Sequence, residues 1–264
     1  YKENLEFLNE ENATIASSSL RRKASWLHKY PSHKIEDIRG NVNTRLQKVA
    51  DSNWGGAIFA EAGLERINLK PEKAIILDWM IPAPAQGAMV VVCNADDFFS
   101  LDAVSQLNHI ETEICTYIER QFLRTLEGGC TAPIGAIATY NEKEDVIDFT
   151  GVLLSIDGKQ KLEVTKTVAV SEWKKLGFHA AQEILNDGGI QLMSEIKENF
   201  SNEEKSKTYI LHYLKFTLKI VNADSNLVDY IYSVFGNLNE NINNIYDRLK
   251  PYIQEINNFK EEVF

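Results

Sequence analysis

The chain has 264 residues, 44% hydrophobic and 25% charged, enough to bury one or two apolar cores. Its formal net charge of −10 argues against general nucleic-acid binding, and its longest apolar runs, such as 88–93, are far too short to span a bilayer. Cys93, Cys115 and Cys130 form no C-x-x-C pair and the five histidines lack ligand spacing, so no metal site is expected. An odd number of cysteines and no signal peptide predict a cytoplasmic protein.

Taken in chain order, residues 13–17 predict a short strand ending in small hydroxylic residues, and 19–30 a helix stopped by Pro31. A second strand follows at 34–38 and a second helix at 42–51. A third strand is expected at 56–60 and a short helix at 61–67. This β-α-β-α-β-α alternation predicts a parallel sheet with covering helices. Ligands of such sheets collect at the carboxyl ends of the strands, where helix N-termini point. Between Ala13 and Lys48 there are eight Lys/Arg against two acidic residues, a local excess of +6 in an acidic chain. A solvated basic helix face would read the same way. The arginines fall at or near strand ends, which favours a site for a small anion.

The stretch Pro82-Ala83-Pro84-Ala85-Gln86-Gly87-Ala88 predicts a rigid connector, compatible with a ligand contact by Gln86, and 88–94 a buried strand. Residues 107–126 predict a helix with Ile110, Ile114, Ile118 and Phe122 on one stripe. Strands are expected at 136–140, 146–154 and 161–168, the last two joined at Asp157-Gly158. Helices follow at 173–186 and 191–199, joined by Gly188-Gly189. From residue 201 a tail begins. Its Leu227, Ile231, Val234, Leu238, Ile242, Ile245 and Leu249 make one helical stripe, interrupted after it by Pro251.

Two groups of residues carry chemistry. Arg21 and Arg22 follow Ser17-Ser18-Ser19-Leu20 at the first strand end, where helix N–H groups and hydroxyls can join the guanidinium forks. Arg39 and Arg45 flank the Gly40-Asn41 turn, and Arg66 follows Ala62-Gly63-Leu64. Five converging arginines need several negative charges among them; phosphates, nucleotides and polycarboxylates all qualify, although no Walker A or G-x-G-x-x-G pattern is present. Cys130 stands in Leu126-Glu127-Gly128-Gly129-Cys130-Thr131-Ala132-Pro133, a context that exposes a sulfur and leaves space beside it. A buried cysteine is the ordinary alternative there. Cys93, in the predicted strand, and Cys115, mid-helix, are expected in the core.

These motifs resemble porphobilinogen deaminase, or hydroxymethylbilane synthase. The resemblance rests on Ser17 to Arg22, Arg39-Gly40-Asn41-Val42-Asn43-Thr44-Arg45-Leu46, Ala62-Gly63-Leu64-Glu65-Arg66, Pro84-Ala85-Gln86-Gly87-Ala88, and Glu119-Arg120 through Gly128-Gly129-Cys130. They stand in the family's order, over about residues 13–198. The resemblance implies a dipyrromethane cofactor held by Cys130 through a thioether, with Ser18, Ser19, Arg21, Arg22 and Arg45 binding the cofactor. It implies substrate contacts from Arg39, Arg45, Arg66 and Gln86. The implied reaction is the head-to-tail condensation of four porphobilinogen molecules, with loss of ammonia, to hydroxymethylbilane in porphyrin and haem biosynthesis. Each pyrrole brings an acetate and a propionate, which accounts for the arginines. Glu61 stands where the family usually has a small residue.

The expected architecture is an α/β parallel-sheet domain, periplasmic-binding-protein-like, plus a small α+β C-terminal domain and a helical tail. Residues 1–12 are read as a crossover remnant, 13–87 as the central α/β domain, and 88–106 as a segment returning to the family's first domain. Residues 107–200 are read as the domain carrying the cofactor cysteine, and 201–264 as the tail. The family's catalytic aspartate finds no counterpart here, so no catalytic residue is assigned and the 264-residue chain alone is expected to be inactive. A monomer is expected for the full-length protein, with association possible through the tail. Two other readings compete: a non-catalytic anion-binding module, which needs no tethering thiol, and an interaction protein that oligomerises through the tail stripe.

Overall fold

The computed structural model describes residues 4–127 and 132–199. Cys130 and the tail stripe lie outside the described residues.

The first half is built on a three-stranded parallel sheet of order β2-β1-β3, with β1 at Thr14–Ala16, β2 at Lys34–Glu36 and β3 at Gly56–Ala57. Thr14 pairs with Lys34 and Ile15 with both Ile35 and Gly56. A parallel neighbour requires a crossover, and each crossover here is a ten-residue helix: α1 at Leu20–Lys29 and α2 at Val42–Asp51. Ser19 caps α1, and the helix ends at Tyr30, before Pro31. Asn41 caps α2 by accepting the Thr44 N–H at 2.9 Å, and Gly40 supplies the φ of +116° that turns the chain into it. A short helix, α3, spans Glu61–Glu65.

The core of this half is aromatic. Phe7, Ile15 and Trp26 are buried, with Leu8, Tyr30, Ile35, Ile58, Leu77, Trp79 and Met80 packed around them. The Trp26 and Tyr30 ring centroids lie 4.7 Å apart, and the Lys29 ammonium sits 4.3 Å from the Trp79 ring centre. Buried His33 accepts the Trp26 indole N–H on Nδ1 at 3.3 Å.

The second half is an antiparallel sheet of order β4-β5-β6, from Ile134–Asn141, Val146–Leu154 and Lys161–Ala169. Its strands are long and their register continuous, Ile134 opposite Leu153 and Val146 opposite Ala169. Helices α5 (Ile110–Thr125) and α6 (Leu176–Ile184) cover it. Because side chains alternate along a strand, Ile147, Phe149, Gly151 and Leu153 share one face. There Phe149 meets Phe122 edge to face at 5.3 Å, and a Cβ on Gly151 would stand 2.5 Å from the Phe122 ring. Val152 and Leu154 point the other way and bury against Ala24 of α1 and Ile81. The hairpin tip adds a bond between the Gly158 carbonyl and His28 Nδ1 at 2.8 Å. The two sheets are thereby joined through α1. Gly188, with φ +100°, kinks the chain between α6 and α7 (190–199).

Most expected elements are present, with three corrections. Residues 88–94 are not a buried strand: they pair with no strand among the described residues, and Met89, Val90, Val91 and Val92 are exposed. A β-prone run becomes a strand only where another edge receives its N–H and C=O groups. Cys93 is therefore half-buried outside any strand, and Cys115 is half-buried rather than in the core. The segment 98–105, given no structure of its own in the sequence reading, is a helix, α4 (Phe98–Ser105), capped by Asp97. Boundaries also shift. Helix α5 begins at Ile110 rather than 107, capped by His109, and the expected 173–186 helix opens as a 3-10 turn over Val170–Lys175.

Candidate functional site

Arg21 carries the geometry of the site. It is 8% exposed, in the first turn of α1, with its fork closed on the connector between the halves. Nη1 donates to the Ile81 carbonyl at 2.6 Å and Nη2 to Gln86 Oε1 at 3.4 Å. Burial, reinforced by the Arg22 charge, lowers the Arg21 pKa to about 10. Arg22 is half-buried, donates to the Ile58 carbonyl at 3.3 Å, and is lowered by burial and then by Arg45. Arg45, on α2, donates Nε to the Gly40 carbonyl at 2.7 Å. Like charges are thus gathered from α1 and α2 at the carboxyl ends of β1 and β2. Among the described residues no carboxylate is paired with Arg21, Arg22 or Arg45. A positive cluster that is partly desolvated and lacks internal anions is stabilised by an external one.

Arg21, Arg22 and Gln86 line a cavity of about 380 Å³ together with Trp26, Leu77 and Met80. Glu61 and Lys70 also line it, and Lys70 ion-pairs with both Glu61 and Glu65. That pairing offsets the one acidic group of the lining. Arg39 and Arg66 are exposed and do not line this cavity. Arg39 contributes its carbonyl to Lys48 at 3.2 Å.

The serines divide. The Ser18 hydroxyl donates to the Ile38 carbonyl at 2.7 Å and accepts the Ile38 N–H at 2.9 Å. Its single proton is committed, so Ser18 ties two strand ends together instead of offering the hydroxyl donor expected from the sequence. Ser19 Oγ accepts the Arg22 N–H at 3.5 Å, and its own O–H meets no acceptor among the described residues.

Glu119, named in the sequence only as part of a motif, lies under this arrangement. It is 7% exposed on the inner face of α5, accepting Ala85 N–H at 2.5 Å and Ala138 N–H at 2.8 Å. Burial raises its carboxyl pKa, against the lowering effect of those two bonds. The signal was legible: Glu119 sits between Ile118 and Phe122 on the face that the stripe buries. Among the described residues no group of three His, Cys, Asp or Glu side chains is placed to hold a metal ion, and no helix is long and apolar enough to cross a membrane.

Comparison with known proteins matches two family models. Residues 1–101 match the porphobilinogen deaminase, dipyromethane cofactor binding domain, and residues 113–186 the porphobilinogen deaminase C-terminal domain. Similar relatives include porphobilinogen deaminase of Chlorobium chlorochromatii, 41% identical over 194 residues, covering 71% of this chain and 61% of that protein. The Brevibacillus brevis porphobilinogen deaminase is 38% identical over 192 residues, covering 72% of this chain and 61% of its own. The chloroplastic porphobilinogen deaminase of Oryza sativa subsp. japonica is 39% identical over 157 residues, covering 59% and 44%. The chain spans about 61% of the length of the first two relatives.

Proposed function

The chain belongs to the porphobilinogen deaminase family, and we propose that it serves that family's reaction, hydroxymethylbilane synthesis. In that transferase reaction four porphobilinogen molecules condense head to tail, each step releasing ammonia, to give the linear tetrapyrrole used in porphyrin and haem biosynthesis. The observation that carries the reading is the gathering of Arg21, Arg22 and Arg45 at the strand ends, unmatched by carboxylates among the described residues, with the pKa values of Arg21 and Arg22 lowered by burial and by a neighbouring guanidinium. Each porphobilinogen unit carries an acetate and a propionate. A growing pyrrole chain therefore supplies the multiple negative charges that such a cluster lacks.

The same cluster fits a dipyrromethane cofactor, whose acidic side chains would meet Arg21, Arg22 and Arg45. Cys130, outside the described residues, is the residue we assign to its thioether. When bound, that group supplies the anchored pyrrole at which chain extension begins. The chain's own residues then have definable tasks. Arg21 and Arg22 fix carboxylates by charge-assisted hydrogen bonds of about 1.5–3 kcal/mol each. Ser19 donates its free hydroxyl proton to a carboxylate oxygen, and Ser18 holds the strand ends that present Ser19. Gln86 orients Arg21, and Arg39 and Arg66 take substrate carboxylates at the exposed margin. We also read the parallel-sheet half, 13–87, as periplasmic-binding-protein-like, and the full-length protein as a cytoplasmic monomer that can associate through its tail.

The test is direct. The purified chain is incubated with porphobilinogen and its intact mass is followed for a dipyrromethane adduct; ammonia release and uroporphyrin formation, measured alongside, check the expected inactivity of the 264 residues alone. An adduct that maps to Cys130 and disappears in Cys130→Ser supports the reading. An adduct on Cys93, or one that persists in Cys130→Ser, overturns the cofactor assignment.

A further inference from the structure

We propose that Glu119 is a positioning residue for the anion site, acting through the 81–87 connector to hold the Arg21 guanidinium in place. The inference rests on the arginine cluster being an anion site. Arg21 gains both of its acceptors from this connector, the Ile81 carbonyl and Gln86 Oε1. What holds the connector is therefore what aims the guanidinium.

Three bonds do so. Pro82 offers its carbonyl to Ala136 N–H at 3.0 Å, Gln86 N–H closes a turn on the Ala83 carbonyl at 3.0 Å, and Ala85 N–H donates to Glu119. Ala85 sits at φ +59°, a left-handed conformation that its Cβ disfavours. A non-glycine residue stays there only where its surroundings hold it, and the Glu119 carboxylate takes its N–H. The other carboxylate oxygen takes Ala138 N–H, on the β4 residue two along from the one bonded to Pro82. One carboxylate thus locks the turn to the rigid antiparallel sheet. The turn in turn places Gln86 Oε1, which also accepts Ala83 N–H at 3.3 Å, on Arg21.

The role is specific to a carboxylate. Two backbone donors arrive from two segments, and only a group with two acceptor oxygens receives both. Glu119→Gln keeps the shape but turns one acceptor into a donor, so one of the two N–H groups is left facing an N–H. Whichever amide keeps the oxygen, the bridge between the Ala85 turn and β4 is broken, which relaxes the turn and lets Gln86 and the Ile81 carbonyl leave Arg21.

A double-mutant cycle tests this on the full chain, with mellitate (benzenehexacarboxylate) as the polycarboxylate probe and calorimetry as the readout. Arg21→Ala and Glu119→Gln should each weaken mellitate binding, the latter by about tenfold. The double variant should bind no more weakly than Arg21→Ala alone, whereas Glu119→Gln combined with Arg22→Ala should lose affinity multiplicatively. Hydrogen exchange should quicken at 83–87 in Glu119→Gln while β5 and β6 keep their protection. A multiplicative loss in the Arg21–Glu119 pair overturns the proposal and leaves the anion site standing. No loss in Arg21→Ala overturns both the site and the positioning role. If Glu119→Gln fails to fold, Gln86→Ala replaces it in the cycle with Arg21→Ala. There, too, a multiplicative loss overturns the proposal.

Discussion

The two sheets of the molecule are built on opposite plans. The parallel sheet has strands of three, three and two residues; the antiparallel sheet has eight, nine and nine. The first gathers arginines at its strand ends and lines a cavity. The second packs Phe122, Phe149, Ile147 and Leu153 to near-complete burial, with glycines where side chains would collide. Binding needs partly desolvated charge, which works against stability, and a small sheet cannot offset that cost alone. The contrast teaches that the antiparallel half is the scaffold and the parallel half the instrument. The joint between them, Ala24 and Ile81 against Val152 and Leu154, lets one support the other.

The largest expected effect lies in the scaffold. Phe122→Ala removes a fully buried ring that meets Phe149 edge to face and is wedged over Gly151. Such truncations cost about 3–5 kcal/mol, so the urea midpoint should fall sharply and anion binding should vanish with the fold. A Phe122→Ala chain that keeps its midpoint would dissolve the division of labour.

Next in size is Arg21→Met, which sharpens the contrast from the other side. It removes a desolvated charge but keeps much of the side-chain volume. Polycarboxylate affinity should drop by roughly ten- to a hundredfold, the worth of one charge-assisted hydrogen bond, while far-UV circular dichroism stays unchanged. Unfolding without selective loss of binding would make Arg21 a structural residue.

The third expectation concerns pH, and again separates the halves. Burial lowers the His33 pKa from its ordinary 6.5, outweighing the raising influence of the Leu8 and Glu10 backbone bonds and the Glu10 charge. The neutral ring also accepts the Trp26 N–H, which an imidazolium cannot do. The unfolded chain therefore binds a proton before the folded one, and His33 makes stability fall as pH drops below about 6.5. Urea midpoints between pH 8 and 5, compared with His33→Gln, check this: the native chain should lose more stability on acidification than the variant. Equal slopes would show that the aromatic core does not depend on neutral His33.

Much of this was legible in the sequence because the signals were local. The β-α alternation, the helix stop at Pro31, the Gly188-Gly189 join and the Asp157-Gly158 hairpin each depend on a few adjacent residues. What escaped depends on partners distant in the chain. The run 88–94 has the composition of a strand, and composition cannot say whether an edge is available to pair with it. Ser18 looked like a ligand hydroxyl because nothing adjacent reveals that Ile38, twenty residues on, takes both its bonds. Glu119 shows the reverse: its place on a buried stripe was visible, but the two amides it bridges are 34 and 19 residues away.

The smallest expected effect tests how loosely the instrument is built. Helix α2 has no buried residue, so local interactions hold it more than packing does. Asn41 Oδ1 caps it through Thr44 N–H and accepts the Thr44 hydroxyl as well, both at 2.9 Å. Asn41→Ala should cost about 1 kcal/mol, felt as fraying of the first turn. That turn adjoins Gly40, whose carbonyl receives Arg45 Nε, so fraying also frees Arg45 from the place where its charge bears on Arg22. Hydrogen exchange should rise across 42–51 while β4–β6 stay protected, and polycarboxylate affinity should fall severalfold at most. Asn41→Asp should preserve the cap, since its carboxylate accepts the same two bonds and favours the helix N-terminus. An Asn41→Ala chain whose antiparallel sheet also loses protection would mean that the halves unfold as one, and that the scaffold is not independent of the instrument it carries.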